Sequence, residues 1–206
     1  MVRKGHNHFV YASPFSGFAQ VALASVCRPL KVKCTIVCER DQRFTEPAFH
    51  PFSLMAQEFG ATLIMTEDLP ETEAQCLLIQ DSKTLKIPLG FDCPEFRSYL
   101  ALEFRKALKH IEHHCGPLKT MWMPVSSGTL VRTLLTELPA HVQLKCVNVR
   151  VLTAADPRVE FFEAPVPFRD AAPEPPAIPS NLFYDAKLWS FIKEHGHPGE
   201  FGLLVP

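Results

Sequence analysis

The sequence predicts an α/β protein, with a mostly parallel, twisted sheet or pair of sheets covered by helices on both faces. Three observations predict it. Short apolar runs of strand length alternate with longer stretches carrying apolar residues at spacings of three and four. The turns after the runs are rich in Ser, Gly and Pro. Strands separated by helices call for parallel pairing, because a parallel connection needs a long crossover.

In order, His8 to Ala12 reads as the first strand and ends at the turn Ser13-Pro14-Phe15-Ser16-Gly17. Phe18 to Cys27 reads as a helix and Lys33 to Cys38 as the next strand, making one βαβ unit with a right-handed crossover. Pro51 to Phe59 reads as a helix stopped by Gly60, with Phe52, Met55, Ala56 and Phe59 along one face. Ala61 to Met65 follows as a strand, Leu69 to Gln75 as a short helix, and Leu77 to Gln80 as an edge strand. The longest helix is expected from Glu95 to His114. Strand Thr120 to Val125, helix Leu130 to Leu138 and strand Leu144 to Val151 form a further unit. Residues 164–180 hold six prolines in 17 positions, which excludes a helix or central strand and predicts an extended surface segment or flap. Tyr184 to His195 returns to helix, and Phe201 to Val205 closes as a strand. No internal repeat is visible. The 206 residues suit one compact unit, divisible into lobes at about 1–86 and 87–206.

Composition narrows function by exclusion. A net charge of −1, without a basic face, argues against nucleic acid as partner. No apolar run approaches the ~20 residues of a membrane helix, and the N-terminus does not continue into a signal sequence. A cytoplasmic protein is expected. The seven cysteines form no CxxC pair and read as reduced thiols filling core positions.

Ligands of open α/β sheets bind beyond the carboxyl ends of strands. Two turns there are candidates. Ser126-Ser127-Gly128-Thr129 would let backbone amides approach an anion at a helix N-terminus, a geometry suited to phosphate; an ordinary N-cap is the other reading. Ser13 to Gly17 could present amides to an anion or be a tight turn. Tyr184-Asp185-Ala186-Lys187 opens the last helix, with Lys187 expected in solvent. His110, His113, His114 and Cys115 share a helix end, where a solvated, dipole-favoured cluster is expected rather than a metal site. His195 and His197 read the same way. No GxSxG, Walker or GxGxxG motif is present.

Taken in order, these stretches resemble the fold-type II pyridoxal-phosphate enzymes, a tryptophan synthase β-like superfamily. The branch they resemble most is that of 1-aminocyclopropane-1-carboxylate deaminase and D-cysteine desulfhydrase. Tyr11 to Ala22 is similar to the loop and helix that grip substrate carboxylate and cofactor. Phe59-Gly60-Ala61 resembles the family's recurring “GA”, and Ile87-Pro88-Leu89-Gly90 with Tyr99 and Glu103 resembles “IPxG…GY…E”. Ser126 to Thr129 stands where the family has its “GSGGT” cradle, and Tyr184 to Lys187 resembles “DPVYxGK”. The resemblance implies a lyase or deaminase acting on a small amino acid with pyridoxal 5′-phosphate. Ser126, Ser127, Gly128 and Thr129 would hold the phosphate, and Asp185 the pyridine nitrogen with Tyr184 near the ring. Ser13, Phe15, Ser16 and Gly17 would hold the substrate carboxylate.

The departures carry their own expectations. Ser127 replaces a glycine, the loop asparagine is Ser16 or Gly17, and no “TGG” follows the last strand. The family's Schiff-base lysine lies upstream of the first strand in a “GGNKxR”-like segment, whereas Lys4 falls in the loop leading into that strand. The resemblance therefore implies a fold truncated at its N-terminus, with no catalytic residue assigned. The alternative is a non-catalytic relic that binds a phosphorylated ligand or a protein partner. An uncovered sheet face or edge would favour a homodimer.

Overall fold

The structure, a computed structural model, describes residues 2–79, 81–149 and 156–203. It divides into two compact units, Met1–Phe91 and Asp92–Pro206. Each is built on a four-stranded, all-parallel sheet.

In the first unit, β1 (His8–Ser13), β2 (Lys33–Glu39), β3 (Thr62–Thr66) and β4 (Thr84–Ile87) lie in the order β3-β2-β1-β4. Alternation along the strands assigns the two faces. Phe9, Tyr11, Cys34, Ile36 and Cys38 pack on one side with Ala24 and Cys27 of α1 (Ala19–Leu30) and Ala56 of α2 (Pro51–Glu58). Val10 and Val37 point the other way, onto Cys76 of α3 (Leu69–Leu78). Burial on both faces explains why β2 reads as a continuous apolar run rather than an alternating one.

Helix α3 corrects the expected edge strand at Leu77 to Gln80. Asp68 caps it by accepting the Glu71 amide at 2.8 Å, and the Glu67 amide donates to Glu71 Oε2 at 2.8 Å. These two bonds start a helix that good formers carry through Leu77 and Leu78. Gln80 lies outside the described residues. The edge beside β1 is instead formed by β4, where Tyr11 pairs with Ile87.

His50 caps α2, its Nδ1 accepting the Phe52 amide at 3.1 Å. Burial, and then the Arg43 charge, lower the imidazole to about 4 from its ordinary 6.5, against the pull of Asp41. Between those values the unfolded chain takes a proton that the folded one refuses. This share of stability is therefore complete above pH 6.5 and is lost as pH falls toward 4, by at most ~3 kcal/mol. In His50→Gln, urea midpoints followed from pH 7 to pH 4 should fall less steeply than in the parent.

In the second unit, β5 (Thr120–Val125), β6 (Gln143–Asn148), β7 (Val159–Glu163) and β8 (Phe201–Gly202) take the order β7-β6-β5-β8. Met121, Met123, Val125, Leu144 and Cys146 face Phe104 of α4 (Pro94–Cys115) and Val131 and Leu134 of α5 (Thr129–Glu137). On the opposite face Trp122 and Val147 pack with Leu188 of α6 (Leu188–His195). Strand β7 is absent from the sequence expectation; its edge position lets it carry Glu160 and Glu163, which obscure its alternation. The residues expected to extend β6 to Val151 and β8 to Val205 fall partly outside the described ones. Residues 164–180 contain neither helix nor strand.

The strand order of one unit is repeated in the other. In each, the first strand has its successor on one side and the fourth on the other. The chain reverses its direction of travel across the sheet at that strand, which is the topological switch point. Ser13 to Gly17 follows β1 and Ser126 to Thr129 follows β5, so both candidate turns occupy this position. Sequence identity does not betray the repeat.

Among the described residues, no helix is long and apolar enough to cross a membrane. Cys27, Cys34, Cys38, Cys76 and Cys146 are buried free thiols, as expected of core residues; Cys115 is exposed.

Candidate functional site

At the end of β5 the chain turns through Ser126 and Ser127 to Gly128, whose φ of 80° and ψ of 0° place it in the left-handed region. Glycine adopts this conformation without a Cβ penalty. Helix α5 then starts at Thr129, and its first backbone bond is the Arg132 amide to the Gly128 carbonyl, 2.9 Å. The amides of Gly128, Thr129 and Leu130 find no backbone acceptor among the described residues. Ser127 and Thr129 bring their hydroxyls within 3.3 Å. Open amides, two hydroxyls and the positive end of a helix dipole are the groups that can cradle an anion.

The second element of the site is the turn before α6. Asn181 organises it: its carbonyl accepts the amides of Tyr184 (3.0 Å) and Ala186 (3.1 Å), and its side-chain oxygen accepts that of Phe183 (3.0 Å). In return, the Asn181 amide donates to Asp185 Oδ1 at 2.9 Å. Asp185 is fully buried. The Tyr184 hydroxyl donates to the Pro124 carbonyl at 3.0 Å, two residues before the cradle begins. Burial, reinforced by Asp185, raises the Tyr184 phenol, so the ring stays neutral and keeps donating. The fold therefore brings 126–129 and 184–185 to the same end of β5.

Lys187 corrects its sequence reading. It is buried rather than solvated, with Nζ donating to the Pro167 carbonyl at 2.6 Å and standing 5.9 Å over the Phe168 ring. Burial lowers its amine to about 8. It is the one buried lysine among the described residues, and it fastens the proline-rich segment to the turn that carries Asp185. A cavity of about 290 Å³ lies beside it, lined in part by Pro165, Ala172, Glu174 and Phe191.

The Ser13 to Gly17 turn is built differently. Ser13, Phe15 and Ser16 are buried, and the Ser13 hydroxyl donates inward to the Pro14 carbonyl at 2.9 Å. The Phe15 amide donates to Glu39 Oε2 (3.1 Å), and its carbonyl accepts from Gln20 Nε2 (3.1 Å). A Cβ on Gly17 would stand 2.9 Å from Ser13 Oγ and 3.2 Å from the Pro14 carbonyl oxygen, so a larger residue there would make the Ser13 side chain shift. Part of its hydrogen-bonding capacity is thus already taken up by an internal carboxylate.

His110 and His114 bring their rings to 4.3 Å at the exposed end of α4. No group of three or more His, Cys, Asp or Glu arranged to hold a metal occurs among the described residues. Two participants escaped sequence reasoning: Asn181, whose signal was an Asn four residues before an Asp, and Arg132, an arginine near the start of a helix whose dipole disfavours it.

No family model matches the chain, and no curated protein matches it. Solved structures do. A threonine deaminase from T.th. is 15% identical with a TM-score of 0.68, over 97% of this chain and 76% of that one. An ACC deaminase homologue is 12% identical with a TM-score of 0.72, over 98% and 74%. A fungal L-serine ammonia-lyase from Rhizomucor miehei is 17% identical with a TM-score of 0.55, over 70% of this chain and 44% of that one.

Proposed function

Taking as premise that this chain has the fold of the fold-type II pyridoxal-phosphate enzymes, we propose that its second unit binds pyridoxal 5′-phosphate in support of lyase or deaminase chemistry on a small amino acid. One observation carries the reading. The Tyr184–Pro124 bond holds the buried Asp185 turn against the strand that delivers the Ser126–Thr129 cradle.

The residues fit the group at both of its ends. Open amides of Gly128, Thr129 and Leu130, with the dipole of α5, suit a phosphate dianion. Asp185 offers a carboxylate for a protonated pyridine nitrogen, and burial strengthens that charge-assisted bond. When bound, the cofactor supplies an electron sink for charge developing on a substrate carbon. Asp185 holds the proton at the ring nitrogen, and Tyr184 keeps the turn in place. Separately, the Ser13, Phe15, Ser16 and Gly17 turn of the first unit is the candidate for holding a carboxylate.

A second reading has a specific observation in its favour. Lys187, the one buried lysine among the described residues, is committed to the Pro167 carbonyl, so a phosphorylated ligand would be held beside it without a covalent link to that amine. Titration with pyridoxal 5′-phosphate, borohydride reduction and peptide mapping separates the two. A reducible chromophore on one lysine supports the enzyme. Equal affinity for pyridoxal and pyridoxine 5′-phosphates, with no reducible adduct, supports the binding protein. Saturable binding of neither phosphate would sink both.

A further inference from the structure

Arg132 sits in the first turns of α5, where its charge opposes the helix dipole. A local rule broken in this way calls for a compensating contact. Two are present. Its Nη2 donates to the Ser127 carbonyl at 3.1 Å and to Asp92 Oδ2 at 2.5 Å. Asp92 also meets Arg97 Nε at 3.5 Å, so the carboxylate just before α4 is shared by two guanidinium groups. The Arg132 backbone amide meanwhile holds the Gly128 carbonyl. One residue thus grips two consecutive carbonyls of the cradle.

The geometry points to Arg132 as the positioning residue of the phosphate cradle, a role that rests on the cofactor reading above. Every described peptide bond is trans, and in a trans peptide the carbonyl and the following N–H point in opposite directions. Drawing the Ser127 carbonyl toward the guanidinium therefore aims the Gly128 N–H away from it and fixes that direction before a ligand arrives. Asp92 sets where the guanidinium can stand. Both side-chain bonds come from the one nitrogen Nη2, so a lysine in its place keeps the charge and, on a shorter and more flexible stem, part of the grip.

The test compares the parent with Arg132→Met and Arg132→Lys by calorimetric titration with pyridoxine 5′-phosphate and with pyridoxine. Losing a preorganised donor should weaken the phosphorylated vitamer roughly tenfold or more in Arg132→Met. Pyridoxine itself should be unaffected, and Arg132→Lys should recover part of the loss. A purely structural role would lower the melting temperature without changing the ratio of the two vitamers. A second readout needs no ligand: the order parameter of the Gly128 amide should fall from about 0.85 toward about 0.6 in Arg132→Met. Unchanged selectivity together with an unchanged order parameter overturns the assignment. If the parent binds no phosphorylated vitamer, the cofactor reading falls by itself, and the order parameter alone decides for or against Arg132.

Discussion

Trp122→Ala should lower the stability of the second unit by about 3–5 kcal/mol, the range for deleting a large buried aromatic side chain. The indole is fully buried against Val147, Phe162 and Leu188, and its ring centroid lies 5.2 Å from that of Phe162. Its N–H donates to Glu200 Oε2 at 2.6 Å, and Lys145 Nζ stands 4.8 Å above its ring while pairing with Glu200 at 3.1 Å. Alanine removes the packing and leaves both charged partners beside a void. The strand's backbone is tied to the same cluster, since the Trp122 carbonyl accepts the Leu203 amide at 2.8 Å. Urea unfolding followed by far-ultraviolet circular dichroism measures the loss. Trp122→Phe should recover most of it, keeping an aromatic ring in the site while forfeiting the bond to Glu200. Equal stability of Trp122→Ala and the parent would contradict the role given to this face of the sheet.

Asp185→Asn should weaken pyridoxal 5′-phosphate by about thirty- to hundredfold, the scale of losing one charge-assisted hydrogen bond in a buried site. Asparagine keeps the shape, and its side-chain oxygen can still accept the Asn181 amide. The urea midpoint should therefore move little while the ligand isotherm moves far. A variant that binds as tightly as the parent removes the ring nitrogen from the vicinity of Asp185.

How much of this was legible in the sequence depended on how local the signal was. The bounds of β5, Thr120–Val125, agree with the sequence expectation because a compact apolar run ends abruptly in Ser-Ser-Gly. Helix α5 starts within one residue of its expected place for the same reason. Strand β7 was illegible: five residues with two glutamates carry almost no periodic signal, and only pairing with β6 makes them a strand. Leu77 and Leu78 misled because an apolar pair at a helix end looks like the beginning of a strand. Lys187 misled more consequentially. Lysine is rarely buried, and nothing local announces that a proline-rich segment 20 residues earlier will offer it a carbonyl. The cradle and the Tyr184–Asp185 turn could each be suspected from composition, but that Tyr184 reaches Pro124 across 60 residues is a fact of tertiary structure. Arg132 acts through carbonyl groups, which carry no residue identity at all.

The repeated strand order gives the two turns at the switch points unequal prospects. In the first unit Glu39 already rests on the Phe15 amide, held there by its own strand. A free carboxylate arriving at that amide competes with a tethered one, whose effective concentration is set by the fold rather than by supply and lies in the ~millimolar range or above for close tethers. The turn after β5 faces no such resident among the described residues. Duplicated topology thus yields one turn with an amide already met by a carboxylate of its own unit, and one whose amides find no backbone acceptor among the described residues. An incoming anion would meet an internal competitor at the Phe15 amide of the first turn, and no backbone competitor among the described residues at the second.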